Sequence, residues 1–182
     1  MLDPLIDALD GFDTDDAEQL ALRASMLQFA RTHPDALERT CAPGHFTASA
    51  LIVERGTGRF VVLLHTKLGK WLQPGGHVDG SPDMAASALR EAIEETGIVG
   101  LEVVPSVLDL DIHRVEPPTE APHDHLDVRF LVLAPTGSTL VGNHESRDIR
   151  WVMLDDLDAL GVDRGLVRLA RAGVSAARDL GA

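Results

Sequence analysis

The stretch Gly76-His-Val-Asp-Gly-Ser-Pro-Asp-Met-Ala-Ala-Ser-Ala-Leu-Arg-Glu-Ala-Ile-Glu-Glu-Thr-Gly-Ile98 decides the fold. Its apolar spacing predicts an amphipathic helix over residues 82–96. Ser81 suits the N-cap, Pro82 the first turn, and Gly97 the left-handed position just past the end. At about 100° per residue, Glu91, Glu94 and Glu95 fall within an arc of roughly 100°. Ala85, Leu89, Ala92, Ile93 and Thr96 fall on roughly the opposite side. One face is therefore expected to pack on a core and the other to carry three carboxylates. Like charges at this spacing repel by a few tenths of a kcal/mol per pair, roughly, and Arg90 beside Glu94 offsets part of that. A solvated acidic face is the plain account of such a trio. The functional account is a set of carboxylates gathered to hold a divalent cation, and the paired glycines Gly75-Gly76 directly upstream favour it.

Outward from this helix the texture alternates. Upstream, Phe46–Val53 and Phe60–His65 read as strands of a hairpin, and Leu72-Gln-Pro-Gly-Gly-His77 as a glycine-rich loop. Downstream, Leu101–His113 reads as a strand or bent pair, residues 114–125 as a polar loop, and Leu126–Ala134 and Ile149–Met153 as strands. Leu166–Ala177 reads as a closing helix. At the N-terminus, residues 1–12 are acidic and broken by Pro4 and Gly11. Residues 14–32 read as a helix capped by Asp13 or Thr14, with Leu20, Ala24 and Leu27 buried, and ended by His33-Pro34. The order predicts an α/β (α+β) fold: an α/β/α sandwich with a mixed sheet, preceded by an N-terminal helical extension over residues 1–44.

Composition excludes several classes. With 182 residues, 45% hydrophobic and 25% charged, the chain can bury a sizeable core without a metal or disulfide. Its 16 basic and 29 acidic residues sum to −13, which argues against a nucleic-acid polymer as partner. One cysteine, Cys41, allows no internal disulfide and points to the cytoplasm. No apolar run reaches the roughly 20 residues of a membrane helix, and the start lacks the basic region of a secretory signal.

The quoted stretch resembles the Nudix box, Gly-x5-Glu-x7-Arg-Glu-U-x-Glu-Glu-x-Gly-U, with U aliphatic. Gly76 matches the first Gly, Arg90-Glu91 the Arg-Glu pair, Glu94-Glu95 the double Glu, and Gly97-Ile98 the end. The family's first Glu falls on Pro82, and the first U is the small Ala92. Trp71-Leu-Gln-Pro-Gly-Gly-His77 and Ile149-Arg-Trp-Val-Met-Leu-Asp-Asp-Leu157 extend the similarity, giving a Nudix hydrolase domain over residues 45–178. The resemblance implies a pyrophosphate hydrolase acting on a nucleoside diphosphate linked to another group, such as a nucleotide sugar or ADP-ribose. It implies Mg²⁺ or Mn²⁺ on Glu91, Glu94 and Glu95, joined by a backbone carbonyl at Gly75 or Gly76, with Arg90 orienting a ligand Glu. A general base is expected from a later loop: Glu145 first, then Glu120, or else a box glutamate.

The remaining candidates come from loops. His77 follows the paired glycines, and His123-x-His125 places two imidazoles on one side of an extended chain. His77 and His123 are candidate metal ligands, and His77 and His125 candidate substrate contacts. Lys67 can pair with phosphate, and Trp71 either stacks on a base or packs in the core. Two other functions stay open. One is a Nudix-fold module that binds a nucleotide without cutting it. The other is an enzyme similar to the isopentenyl diphosphate isomerases, which share the fold and a histidine-rich metal site. Their Gly-His pair resembles Gly76-His77, and His45 lies ahead of the first strand much as one of their ligands does, whereas their catalytic cysteine corresponds here to Gly75. The 14–32 helix can cover the sheet, lean over a pocket or close a homodimer.

Overall fold

The computed structural model describes residues 2–117, 121–144 and 146–182. Its sheet is built around β1 (Gly44–Glu54), a run of short and branched apolar residues buried along its whole length. A strand buried on both faces needs helices above and below. β1 runs parallel to β6 (His123–Ala134) in unbroken register from Gly44 beside Asp124 to Glu54 beside Ala134. β5 (Glu102–Val115) lies antiparallel outside β6. Along its other side β1 meets two partners. β2 (Phe60–His65) joins at Val53, and the short β4 (Gly75–His77) lies against Thr47–Ser49. β2 carries β3 (Trp71–Leu72) and β7 (Ser146–Val152). The sheet is mixed, as the sequence predicts.

Side chains alternate across each strand, and the two faces bury different helices. Phe46, Ala48, Ala50 and Ile52 of β1 share a core with three helices, α1 (Asp3–Asp10), α2 (Ala17–Thr32) and α3 (Met84–Thr96). Leu51 and Val53 face the opposite way. They pack with α4 (Leu157–Leu160), which follows a 3-10 turn at Leu154–Asp156, and with α5 (Arg164–Asp179). The result is an α/β/α sandwich. Its α5 face is apolar only at the far end of β1, because His45, Thr47 and Ser49 continue the row that Leu51 and Val53 begin. Among the described residues, no helix is long and apolar enough to cross a membrane.

Four expectations need correction. The acidic start is a helix, α1: Pro4 sits in the first turn, where its missing N–H costs nothing, and Leu5 and Leu9 are fully buried one turn apart. α2 is capped by Asp16, not Asp13 or Thr14, and is rotated from the predicted phase. Leu20 is 43% exposed and Ala24 is exposed with it, while Gln19, Met26, Leu27 and Ala30 point inward. Gln19 sets that rotation. Its amide donates to the Leu110 carbonyl at 3.0 Å and accepts from the Leu110 N–H at 2.8 Å, closing the open edge of β5. α3 starts at Met84 under an Asp83 cap, so Ser81 and Pro82 lie outside it. Its inward face is Met84, Ser87, Ala88, Glu91, Ala92, Glu95 and Thr96, whereas Ile93 is 46% exposed. Finally, His123 and His125 belong to β6 rather than to a loop.

Candidate functional site

The glycines of β4 hold the first half of the site. A Cβ on Gly76 would sit 2.8 Å from the Glu91 carboxyl, so only glycine lets that carboxylate approach the strand. A Cβ on Gly75 would point the other way, into the Ser49 hydroxyl. The Gly75 N–H donates to the Glu95 carboxylate at 2.9 Å. Glu91 and Glu95 thus turn in to the seam between α3 and β4, while Glu94 on the next position round stays exposed. Arg90 stands over the seam. Its guanidinium lies 2.7 Å from Glu91 and 3.8 Å from Glu94, and donates to the His77 carbonyl at 2.8 Å.

The turn between β4 and α3 is held from outside. Asp79 adopts a left-handed backbone (φ 50°), which costs a residue with a Cβ some strain. Arg39 grips its carboxylate with two hydrogen bonds of 2.7 and 3.2 Å, and the Gly80 N–H donates to the Leu37 carbonyl at 3.0 Å. Pro82 occupies the position where a glutamate was expected to brace this turn. Residues from the segment between α2 and β1 hold the turn instead.

On the α5 face the strands assemble a second half. Register sets His125 beside His45, Asp127 beside Thr47 and Arg129 beside Ser49. Across β6, His113 lies opposite His125 and Asp111 opposite Asp127. The ring centroids of His45 stand 5.0, 4.8 and 4.9 Å from those of His77, His123 and His125. Burial, aided by neighbouring histidines, pushes His45 down to about 4 and His125 to about 3, so both are neutral at pH 7. The hydrogen bond from His113 to Asp111 raises His113.

Beside the imidazoles runs a buried ionic network. Asp127 accepts from Thr47 (3.0 Å), Ser49 (2.9 Å) and Arg129 (2.7 Å). Arg129 also pairs with Asp109 at 3.2 Å and Asp111 at 3.0 Å, and Arg168 of α5 closes on Asp109 at 2.6 Å. Burial pushes Asp109 up against the pull of both arginines. A network this enclosed holds only while every member is partnered.

This sandwich carries two glutamates of one helix against paired glycines, with a third exposed beside them. The NUDIX domain family matches residues 44–170. The chain belongs to the Nudix family. It is accordingly an enzyme of the pyrophosphohydrolase class. Solved structures agree on the fold. A C. elegans Ap4A hydrolase binary complex is 22% identical with a TM-score of 0.57, over 75% of this chain and 98% of that one. A MutT protein from Methanosarcina mazei Go1 is 22% identical with a TM-score of 0.56, over 72% and 93%. The NUDIX domain of Shewanella oneidensis NrtR, complexed with ADP ribose, is 17% identical with a TM-score of 0.52, over 69% and 85%. No curated protein matches the chain.

Within this Nudix domain the predicted site residues fall into separate places. Gly76, Arg90, Glu91, Glu94 and Glu95 gather at the α3–β4 seam. His77 and His125 meet on the α5 face with His45, and His123 lies behind them with its Nδ1 on the Ala121 carbonyl at 2.9 Å. Trp71 is half-buried, packs against the α5-side core and has the Arg150 guanidinium 5.0 Å above its ring. Lys67 is exposed in the β2–β3 turn. Glu145 and Glu120 lie outside the described residues. Asn143 donates to the Glu94 carbonyl at 3.3 Å. Sequence reasoning missed Asp109, Asp111, Asp127, Arg129 and Arg168, and reached His45 only through the resemblance to the isomerases. The signal was present as alternation, Asp109-x-Asp111-x-His113 and His123-x-His125-x-Asp127-x-Arg129. Starting the second strand at Leu126 cut that pattern in two.

Proposed function

We propose that this chain hydrolyses the pyrophosphate bond of a nucleoside diphosphate derivative, with Mg²⁺ or Mn²⁺ on Glu91, Glu94 and Glu95 and the Gly76 carbonyl. The observation that carries this reading is the α3–β4 seam, where two glutamates converge on a strand kept thin by glycine. The donor set fits such an ion: carboxylate oxygens are hard ligands, and the missing Cβ of Gly76 lets the Glu91 carboxylate lie against the β4 backbone. When bound, the ion neutralises phosphate charge and lowers the pKa of an attacking water. The chain's own residues do the rest. Arg90 holds Glu91 in orientation, and the Gly75 N–H fixes Glu95. Glu145 is the proposed base, with Glu120 or a box glutamate in its place if it is not. The exposed Lys67 and the half-buried Trp71 flank the approach to the substrate in this reading.

Residues 45–178 are the hydrolase unit in this proposal, and residues 1–44 brace its turn through Leu37 and Arg39. The related folds are described with Ap4A and with ADP ribose, which makes dinucleoside polyphosphates and ADP-ribose the first substrates to try, followed by nucleotide sugars. The test is phosphate release, coupled to alkaline phosphatase, across that panel with Mg²⁺, with Mn²⁺ and with EDTA. Turnover that needs metal and falls about 10²–10⁴-fold in Glu95→Gln, with an unchanged thermal midpoint, is the expected result. Silence across the panel would overturn it in favour of a nucleotide-binding module.

A further inference from the structure

We propose that His45, His77 and His125 form a second metal site, for a divalent transition-metal ion of the imidazole-preferring kind, Zn²⁺ foremost. It lies on the α5 face, across β4 from Glu91, Glu94 and Glu95. Among the described residues, these three histidines are the group whose potential ligand atoms all lie within 4.8 Å of one another. The three glutamates do not form such a group: Glu91 is turned to Arg90, Glu95 to the Gly75 N–H, and Glu94 to solvent.

Three arguments converge. First, the site is built on strands. His45 and His125 are register neighbours on the parallel β1–β6 pair, and His77 enters from β4 on the other side of β1. Ligands on adjacent strands of a buried sheet are held more firmly than ligands on loops. Second, His45 is 1% exposed, and neither of its ring nitrogens has a hydrogen-bond partner. A buried imidazole normally finds a partner for each nitrogen. A metal ion in front of it supplies one for the nitrogen that faces His77 and His125. Third, the donor set is three nitrogens with no carboxylate among them. Imidazole suits Zn²⁺ and its neighbours in the first transition row, whereas Mg²⁺ takes oxygen.

The geometry is close to closed. A tetrahedral Zn²⁺ with bonds of about 2.0–2.1 Å sets its ligand nitrogens roughly 3.3 Å apart. The ligand atoms lie within 4.8 Å of one another, so binding draws the half-buried His77 and His125 rings in toward that value. Three protein ligands leave a fourth position open, the arrangement that admits water or a substrate oxygen. His45 closes the back of the site, and the half-buried pair leaves its front reachable from solvent.

The site is independent of the hydrolase reading, and its test does not use turnover. Chelator-stripped protein is titrated with Co²⁺ in excess Mg²⁺, following the visible d–d bands, and then with Zn²⁺ to displace it. The expected result is one equivalent bound with a four-coordinate spectrum. X-ray absorption of the Zn²⁺ form should show imidazole nitrogen scattering. His77→Gln and His125→Gln should each weaken binding by about 100-fold or more. His144→Gln, in an exposed turn, and the Glu91→Gln/Glu95→Gln double variant should bind as the parent does. The X-ray absorption measurement needs no variant, so a misfolded substitution does not decide the matter. No stoichiometric binding, an oxygen-only coordination shell, or loss of binding in the glutamate double variant would each overturn the proposal.

Discussion

The two sides of β4 are built on different principles. On the α3 side, the functional groups come from one helix, and consecutive turns bring Glu91 and Glu95 to the same seam. On the α5 side, the groups come from β1, β4, β5, β6 and α5, and only strand register and helix docking bring them together. A motif on one helix is local: its spacing is its geometry. A cluster on several strands is non-local, with partners such as Thr47 and Asp127 separated by 80 positions. The first needs only one helix and one short strand to assemble. The second doubles as structural core, since Asp127 and Arg129 are buried among their partners. Substitutions on the two sides should therefore fail in different ways.

The largest effect is expected on the α5 side. Arg129→Leu leaves Asp109, Asp111 and Asp127 without their shared cation, a loss of about 3–5 kcal/mol, or a fall in thermal midpoint of roughly 6–20 °C. Differential scanning calorimetry would measure it. A stable variant with turnover lost would instead make this row part of the chemistry and erase the contrast. Next comes the seam itself. Gly76→Ala pushes against the Glu91 carboxylate, and a displacement of about an ångström there should lower kcat roughly 10²-fold. Steady-state kinetics with a circular dichroism control would sharpen the comparison, because an unfolded variant would show the seam to be as structural as the row.

The smallest effect belongs to the far end of β1, where neither region reaches. Glu54 is buried and held down to about 2, chiefly by its hydrogen bonds from Arg59, with help from Thr57 and the Gly137 N–H. Its folded value lies below its unfolded one, so its contribution is present above about 4.5 and is lost as pH falls toward about 2. A pH series of thermal midpoints should show that acid-side loss, and Glu54→Gln should flatten it.

These differences also explain what could be read in advance. The helix, its glycines and its glutamates were legible because they are contiguous. The direction of its faces was not. An apolar count turns Ile93 inward and the glutamates outward, yet the seam draws in Glu91 and Glu95 because Gly75 and Gly76 offer them room and an N–H. The same count misplaced α2, where one polar residue, Gln19, outweighs Leu20 by satisfying the backbone of an edge strand. The histidines were visible as residue types, but their meeting depends on the β1–β6 register, which no local spacing encodes. His45 could be joined to His125 only once the two strands were known to run parallel.

That parallel register also has a kinetic side. β1 and β6 cannot pair until a loop of roughly eighty residues has closed, the kind of contact that slows folding. The helix with its carboxylates lies wholly inside that loop. A growing chain that has reached residue 117 already contains Glu91, Glu94 and Glu95, and His45 and His77. It still has no His125, no Asp127 and no Arg129. The carboxylate seam is thus encoded early in the chain, and the imidazole and ionic row is completed only when the last long strand arrives.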